Sequence, residues 1–295
     1  MLRDNGQMAM QRTTRLALGI ALVAAIASTA AVFVSRAAEP QSPAVKETAL
    51  GIPIDGPFRY VVEYLGIKCG EMTLESRLVE YQGRPTYHIL MSARNSKFFN
   101  KIYRVDGQIE SWVDAETMST VAYESDITER GKRKVVYYRI DRERGVVRTN
   151  KKGMPAESPY EDGFALDPMA FVYRGRTLAE KEGETFPLTL LTDHGGIETI
   201  SKVGPTKQFR AYDGKRALLR VQPMTADGEM FSRKGEFVYW VDPGPTRTLY
   251  RLDFKLSFGR LTASLRGPAQ GVVDRRDPAE LEKPPPPIDP PAKKR

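Results

Sequence analysis

Between Tyr250 and Phe258 the side chains alternate without a break: Tyr250, Leu252, Phe254, Leu256 and Phe258 are apolar, and Arg251, Asp253, Lys255 and Ser257 are polar. Successive side chains of a strand point to opposite faces, so this segment has one dry and one wet face as a strand and neither as a helix. Gly259 interrupts the pattern, and Leu261, Ala263 and Leu265 resume it against Arg260, Thr262, Ser264 and Arg266. The pair predicts a hairpin that buries one shared face.

The same alternation runs through Glu71 to Leu78 and, after a turn at Gln82-Gly83-Arg84-Pro85, through Tyr87 to Ala93. Further strands are expected at Arg59–Ile67, Gln108–Val113, Val121–Thr128, Lys134–Asp141, Val146–Thr149, Thr185–Leu191, Ile197–Lys202, Gln208–Tyr212, Ala217–Gln222 and Glu236–Val241, with turn signals between them. Strands buried on one face only belong to antiparallel meanders, because parallel strands covered on both faces are apolar throughout. Helical patterns are too few for repeated βαβ units. A short helix is expected from Asp167-Pro168 to about Gly175, with a capping residue before proline at the first helical position. A second would cover Lys97–Ile102. The fold class is all-β, an antiparallel sheet with one or two short helices.

The chain ends differ from this middle. Arg12 and Arg15 precede an apolar run from Leu16 to Val34, and Ser35-Arg36-Ala37 offers small residues at the −3 and −1 positions of a signal-peptidase site. Residues 1–37 are therefore a signal peptide of the general secretory route, or an N-terminal anchor in which residues 16–34 tether the domain to the inner membrane. Either topology leaves the two arginines cytoplasmic and places the domain in the periplasm or cell envelope. Residues 38–56 form a linker, residues 57–267 the β domain, and residues 268–295 a Pro-rich charged tail with nothing to bury. Of the net charge of +8, residues 1–37 carry +3 (Arg3, Arg12, Arg15 and Arg36 against Asp4), which leaves +5 for the rest.

Tyr64-Leu65-Gly66-Ile67 followed by Gly70-Glu71, Asp106 to Trp112, Asp167-Pro168 to Arg174, and the closing Leu252 to Leu265 hairpin occur in an order that resembles the bacterial family of exported proteins called domain of unknown function 3108. The resemblance implies an envelope protein with a strongly curved antiparallel sheet, an open or half barrel similar in outline to those that carry lipoproteins between bacterial membranes. It implies no activity, cofactor or catalytic residue.

The residues themselves point the same way. His88 and His194 have no ligand spacing, and the single Cys69 allows neither a thiolate zinc set nor an intramolecular disulfide. Cys69 falls in Gly66-Ile67-Lys68-Cys69-Gly70, which reads as a hairpin turn and not as a strand-to-helix nucleophile elbow. Glu157, Glu161, Asp162 and Asp167 match no calcium loop and fit a solvated loop before a capped helix. No phosphate-cradling glycine motif is present. No catalytic, cofactor or metal site is therefore expected, and no enzyme.

Two groups remain as candidate contacts. Tyr250, Leu252, Phe254, Leu256 and Phe258 would face an apolar ligand on the concave side of an incompletely closed sheet. Arg130, Lys132, Arg133 and Lys134, first of a basic series that continues through Arg139, Arg142, Arg144 and Arg148, would contact anions such as lipid headgroups, or else lie solvated at hairpin tips. Nucleic acid is not an expected partner of an exported chain. The sequence thus leaves two functions open: a non-enzymatic binder of a lipid, an acyl chain or a lipidated protein, or a structural or assembly component among envelope proteins, with a self-filled core and no small ligand.

Overall fold

A computed structural model describes residues 56–101, 105–129, 131–151, 154–160, 165–192, 195–225, 236–256 and 259–269. The export segment, nearly all of the linker, most of the tail, and Arg130, Glu161, Asp162, His194 and Phe258 lie outside them.

Fifteen strands among the described residues join in one sheet: β1 (Phe58–Tyr64), β2 (Ile67–Tyr81), β3 (Arg84–Asn95), β4 (Val105–Asp114), β5 (Thr120–Glu129), β6 (Lys132–Asp141), β7 (Val146–Lys151), β8 (Met154–Pro159), β9 (Ala165–Leu166), β10 (Thr185–Thr192), β11 (Gly195–Ala211), β12 (Gly214–Thr225), β13 (Glu236–Val241), β14 (Leu249–Leu256) and β15 (Gly259–Pro268). The order is β8 to β1, then β15 down to β9. Each strand therefore pairs with its neighbour in sequence, β1 pairs β15, and the ring is open only between β8 and β9. The closing hairpin matches its sequence reading, with Leu252 opposite Ala263 and Phe254 opposite Leu261.

Several elements differ from expectation. The two segments predicted at Ile197–Lys202 and Gln208–Tyr212 are one long strand, β11, with an irregularity between Gly204 and Lys207. The β1–β2 turn is Leu65-Gly66, both at positive φ, so Cys69 and Gly70 lie inside β2 rather than in a turn. Edge strands β8 and β9 had no sequence signal, and β9 pairs with β10 in parallel. The expected helix at 97–102 is a single 3-10 turn, Phe99–Lys101.

The helix α1 (Pro168–Leu178) links β9 to β10 and runs three residues past its predicted end at Gly175. It packs on β9 and β10 and also on β4. Strands β4 and β10 stand fifth and fourteenth in the sheet order, so the sheet must curl for both to touch one helix. The core lies on this concave side, where Tyr60, Leu74, Ile89, Ile109, Tyr123, Val221 and Tyr239 join the buried residues of α1 in one cluster.

Candidate functional site

The concave face is occupied by the chain itself. Pro168, Met169, Ala170, Phe171, Val172 and Tyr173 are all buried, so α1 presents apolar surface around its whole girth, which only a helix enclosed by protein can do. Each large side chain so buried contributes about 1.5–3 kcal/mol by removal from water. Fully buried Arg176 is held among aromatics, its guanidinium 4.2 Å from the Tyr173 ring centre.

Asp167 fixes where the helix starts. One carboxylate oxygen caps α1 by accepting from the backbone N–H of Met169 (2.9 Å) and Ala170 (3.1 Å). The other accepts from Ser111 Oγ on β4 (2.6 Å) and Thr120 Oγ1 on β5 (2.8 Å). The end of β9 is thereby tied to strands near the opposite edge of the sheet. Burial pushes the Asp167 carboxyl up to about 6, against the four hydrogen bonds that favour its charged form.

The sequence-predicted apolar residues separate along this face. Tyr250 is buried, donates its hydroxyl to Asp213 Oδ2 (2.9 Å) and stacks on Tyr212. Leu252 is half-buried against the main core. Phe254 is also half-buried, stacked on Phe237 with ring centres 4.6 Å apart, and belongs to a smaller cluster with Cys69, Leu261, Val62, Tyr64 and Phe99. Leu256 ends β14, and its side chain, like all of Phe258, falls outside what is described. Cys69 is buried in this cluster and donates to Val62 O (3.4 Å); burial pushes its thiol up to about 11.

Much of the basic series is matched by carboxylates. Arg133 makes a two-pronged pair with Asp126 (2.8 and 2.5 Å), Arg139 bonds Glu124 (2.8 Å), Arg142 bonds Asp114 (3.0 Å), and Arg144 and Arg148 share Glu157. Glu157 lies on β8 and not in a loop. Lys132 and Lys134 are exposed. The arginines from Arg133 to Arg148 are thus held in ion pairs, each of low net field, while the two lysines stand in water on the same strand.

Features that sequence reasoning missed lie on the convex face and at one end. Glu75, Leu90, Glu110 and Glu124 form one row across β2 to β5, and the three carboxylates are buried. His88 is 2% exposed; Arg77 Nε donates to its Nδ1 (3.3 Å), so Nε2 carries the proton donated to Glu110 (3.0 Å). Its ring stacks on Trp112. Asp253 is surrounded in a similar way by Trp240 Nε1, Arg251 and Thr262 Oγ1; burial raises its carboxyl, yet these bonds hold it below the usual range. A hollow of about 60 Å³ beside it, lined by Arg220, Glu236 and Arg260, is far smaller than the several hundred Å³ a bound small molecule fills. A larger hollow of about 340 Å³, at Ser92, Gln108, Asp126 and Arg133, is shallow and polar. Among the described residues no three His, Cys, Asp or Glu side chains converge as a metal ion requires. At one end, Leu65, Ile67 and Phe98 stand exposed around the β1–β2 turn.

Residues 59–266 match the family described as protein of unknown function, DUF3108. No curated protein matches the chain. Among solved structures, a β-barrel-like protein of the domain of unknown function DUF1849 from Brucella abortus is similar over 73% of this chain and 97% of its own, with 11% identity and a TM-score of 0.50. A candidate exported protein with a YmcC-like fold from Bacteroides fragilis aligns over 76% of this chain and all of its own, with 10% identity and a TM-score of 0.33. At such identity the first likeness is one of fold.

Proposed function

This chain belongs to the DUF3108 family of proteins of unknown function, and we propose that it is a non-enzymatic component of the cell envelope, a scaffold or assembly protein whose interior is filled by its own helix. The observation that carries this reading is α1, buried at nine of its eleven residues within the curled sheet and pinned by Asp167 to Ser111 and Thr120. An acyl chain would have to displace that helix and strand its buried cap. The envelope location is supported by Arg12 and Arg15, the apolar run Leu16–Val34 and the small residues of Ser35-Arg36-Ala37.

One observation favours a second reading, that of a lipid carrier. Leu252 and Phe254 are only half-buried on the inner face, so a short apolar ligand would gain contact there. Native mass spectrometry of protein purified from the envelope separates the two. A mass equal to the polypeptide alone is expected; a lipid retained in fixed proportion overturns the self-filled reading. Leu252→Arg gives a second arm: a carrier loses its lipid on the substitution, whereas a self-filled interior has no lipid to lose and is destabilised by the partly buried charge.

A further inference from the structure

We propose that the end of the sheet formed by the β1–β2 turn and the Ser96–Lys101 segment docks on the surface of a phospholipid bilayer that contains anionic lipid. This names the partner of the envelope scaffold proposed above and rests on its envelope location.

Leu65 and Ile67 are each 62% exposed and Phe98 67%, three of the six most exposed large apolar side chains among the described residues. The chain gathers them at one place. Ser96 N donates to Cys69 O (2.9 Å), which lays the segment beside the start of β2, two residues from Ile67. Phe99 turns inward onto the Cys69 and Leu261 cluster, and Phe98 meets it edge-on with ring centres 5.6 Å apart, so one phenyl anchors the segment while the other faces water.

Leu65 carries a second cost. It sits at φ +51°, followed by Gly66 at +80°, the geometry of a two-residue turn that favours Asn-Gly because a branched side chain crowds the backbone there. The next hairpin has the same turn with a polar residue, Gln82 at φ +53° and Gly83 at +74°. Within the monomer the leucine side chain only borders Gly259 and leaves most of its surface in water, a small gain beside the cost of its backbone; a contact outside the monomer accounts for it.

The surrounding charge selects the occupant. Lys68 (2.6 Å) and Arg59 (3.5 Å) span Glu71, and beyond them Lys97, Lys255 and Arg260 add three exposed cations against two further carboxylates, Glu63 and Glu236, of which Glu236 stands opposite Lys255 in the sheet and is already bonded to Arg220 (2.8 Å). Arg260 is adjacent to the turn, since its carbonyl accepts from Leu65 N (3.1 Å). Apolar tips within a cationic collar match the boundary between acyl chains and anionic headgroups, where an aromatic ring inserts and each lysine or arginine strengthens binding about fivefold.

The test uses the full chain with Phe98→Trp, read by emission and by quenching from brominated acyl chains in vesicles of phosphatidylcholine with or without phosphatidylglycerol. Trp112 and Trp240 are buried, so the introduced indole reports the rim whatever residues 16–34 do. Quenching and a blue shift are expected with phosphatidylglycerol only. Adding Leu65→Asn or Ile67→Ser should weaken partitioning about five- to tenfold, the loss from one large apolar contact, with the fold retained. Absent quenching, equal quenching by phosphatidylcholine alone, or quenching indifferent to both added substitutions overturns the proposal. So does an emission shift that follows protein concentration without vesicles, which would mark the rim as a contact between copies. None of these results bears on whether lipid copurifies inside the sheet, so the two proposals fail separately.

Discussion

Gly175 on α1 lies so close to the phenol of Tyr239 on β13 that a Cβ at position 175 would overlap the hydroxyl oxygen. This contact sets the depth of the helix in the sheet. Helix propensity alone ranks Gly175→Ala as stabilising by about 1 kcal/mol. The packing reverses the sign: Tyr239 is fully buried and must shift within the core to admit the methyl, so the variant should lose about 1–3 kcal/mol through overpacking. Urea denaturation decides it, and a midpoint raised by the substitution would show that α1 is not seated against Tyr239.

Asp167 makes part of the stability depend on pH in an unusual direction. Its native carboxyl, near 6, is above the value of about 3.9 it has when unfolded, so between these values the native state holds the proton more tightly. Its contribution is therefore complete below about pH 4 and is lost as pH rises through 6, by at most about 3 kcal/mol. Depressed carboxylates such as Asp253 slope the other way, so the informative quantity is a difference. Asp167→Asn keeps a capping oxygen but cannot titrate. The stability of the wild type relative to this variant should fall between pH 4 and 6 and stay level above 7, as measured by denaturation at stepped pH; a constant difference would refute it.

The alternation from Tyr250 to Phe258 exposed the fold because each strand has one covered face, and hairpin order then followed from turn residues. Other features needed the third dimension. Met154–Pro159 carries two prolines, and β9 is two residues long, so neither offered a period to recognise. Gly175 reads as a helix stop, yet it is a glycine to admit Tyr239. Glu110 and Glu124 look solvent-facing by type; Gln108 reaches Glu110 along its own strand, but only cross-strand register brings His88 to Glu110 and Arg139 to Glu124. The cationic series was visible, but pairing Arg133 with Asp126 and Arg148 with Glu157 needed the register of adjacent strands. Leu65-Gly66 is legible without the third dimension, as an apolar residue directly before glycine between two alternating segments.

Cys69 should behave as a protected thiol. It is 1% exposed among Leu261, Phe254 and Phe99, and its thiol is pushed up to about 11, chiefly by burial with the Glu63 charge adding to it. The thiolate is the reactive form, so at pH 8 both access and ionisation oppose attack. Labelling of the native protein by an aromatic disulfide reagent should be no faster than local or global opening, and should become immediate in denaturant. Rapid labelling of folded protein would place Cys69 outside that cluster.

Leu65→Asn separates folding from docking in one residue. A left-handed backbone costs a leucine about 1–2 kcal/mol, most of which asparagine avoids by bonding locally, so the variant should be more stable by about 1 kcal/mol. Its exposed side chain leaves little packing to lose. Gln82→Asn is the internal standard: the same turn, at the same φ, in a hairpin away from the rim, should gain a similar amount and leave bilayer binding unchanged. Denaturation midpoints measured beside vesicle partitioning read both quantities. A loss of stability on Leu65→Asn would mean that the leucine is held by contacts within the monomer, and the reason for its exposure would have to be sought in the fold itself.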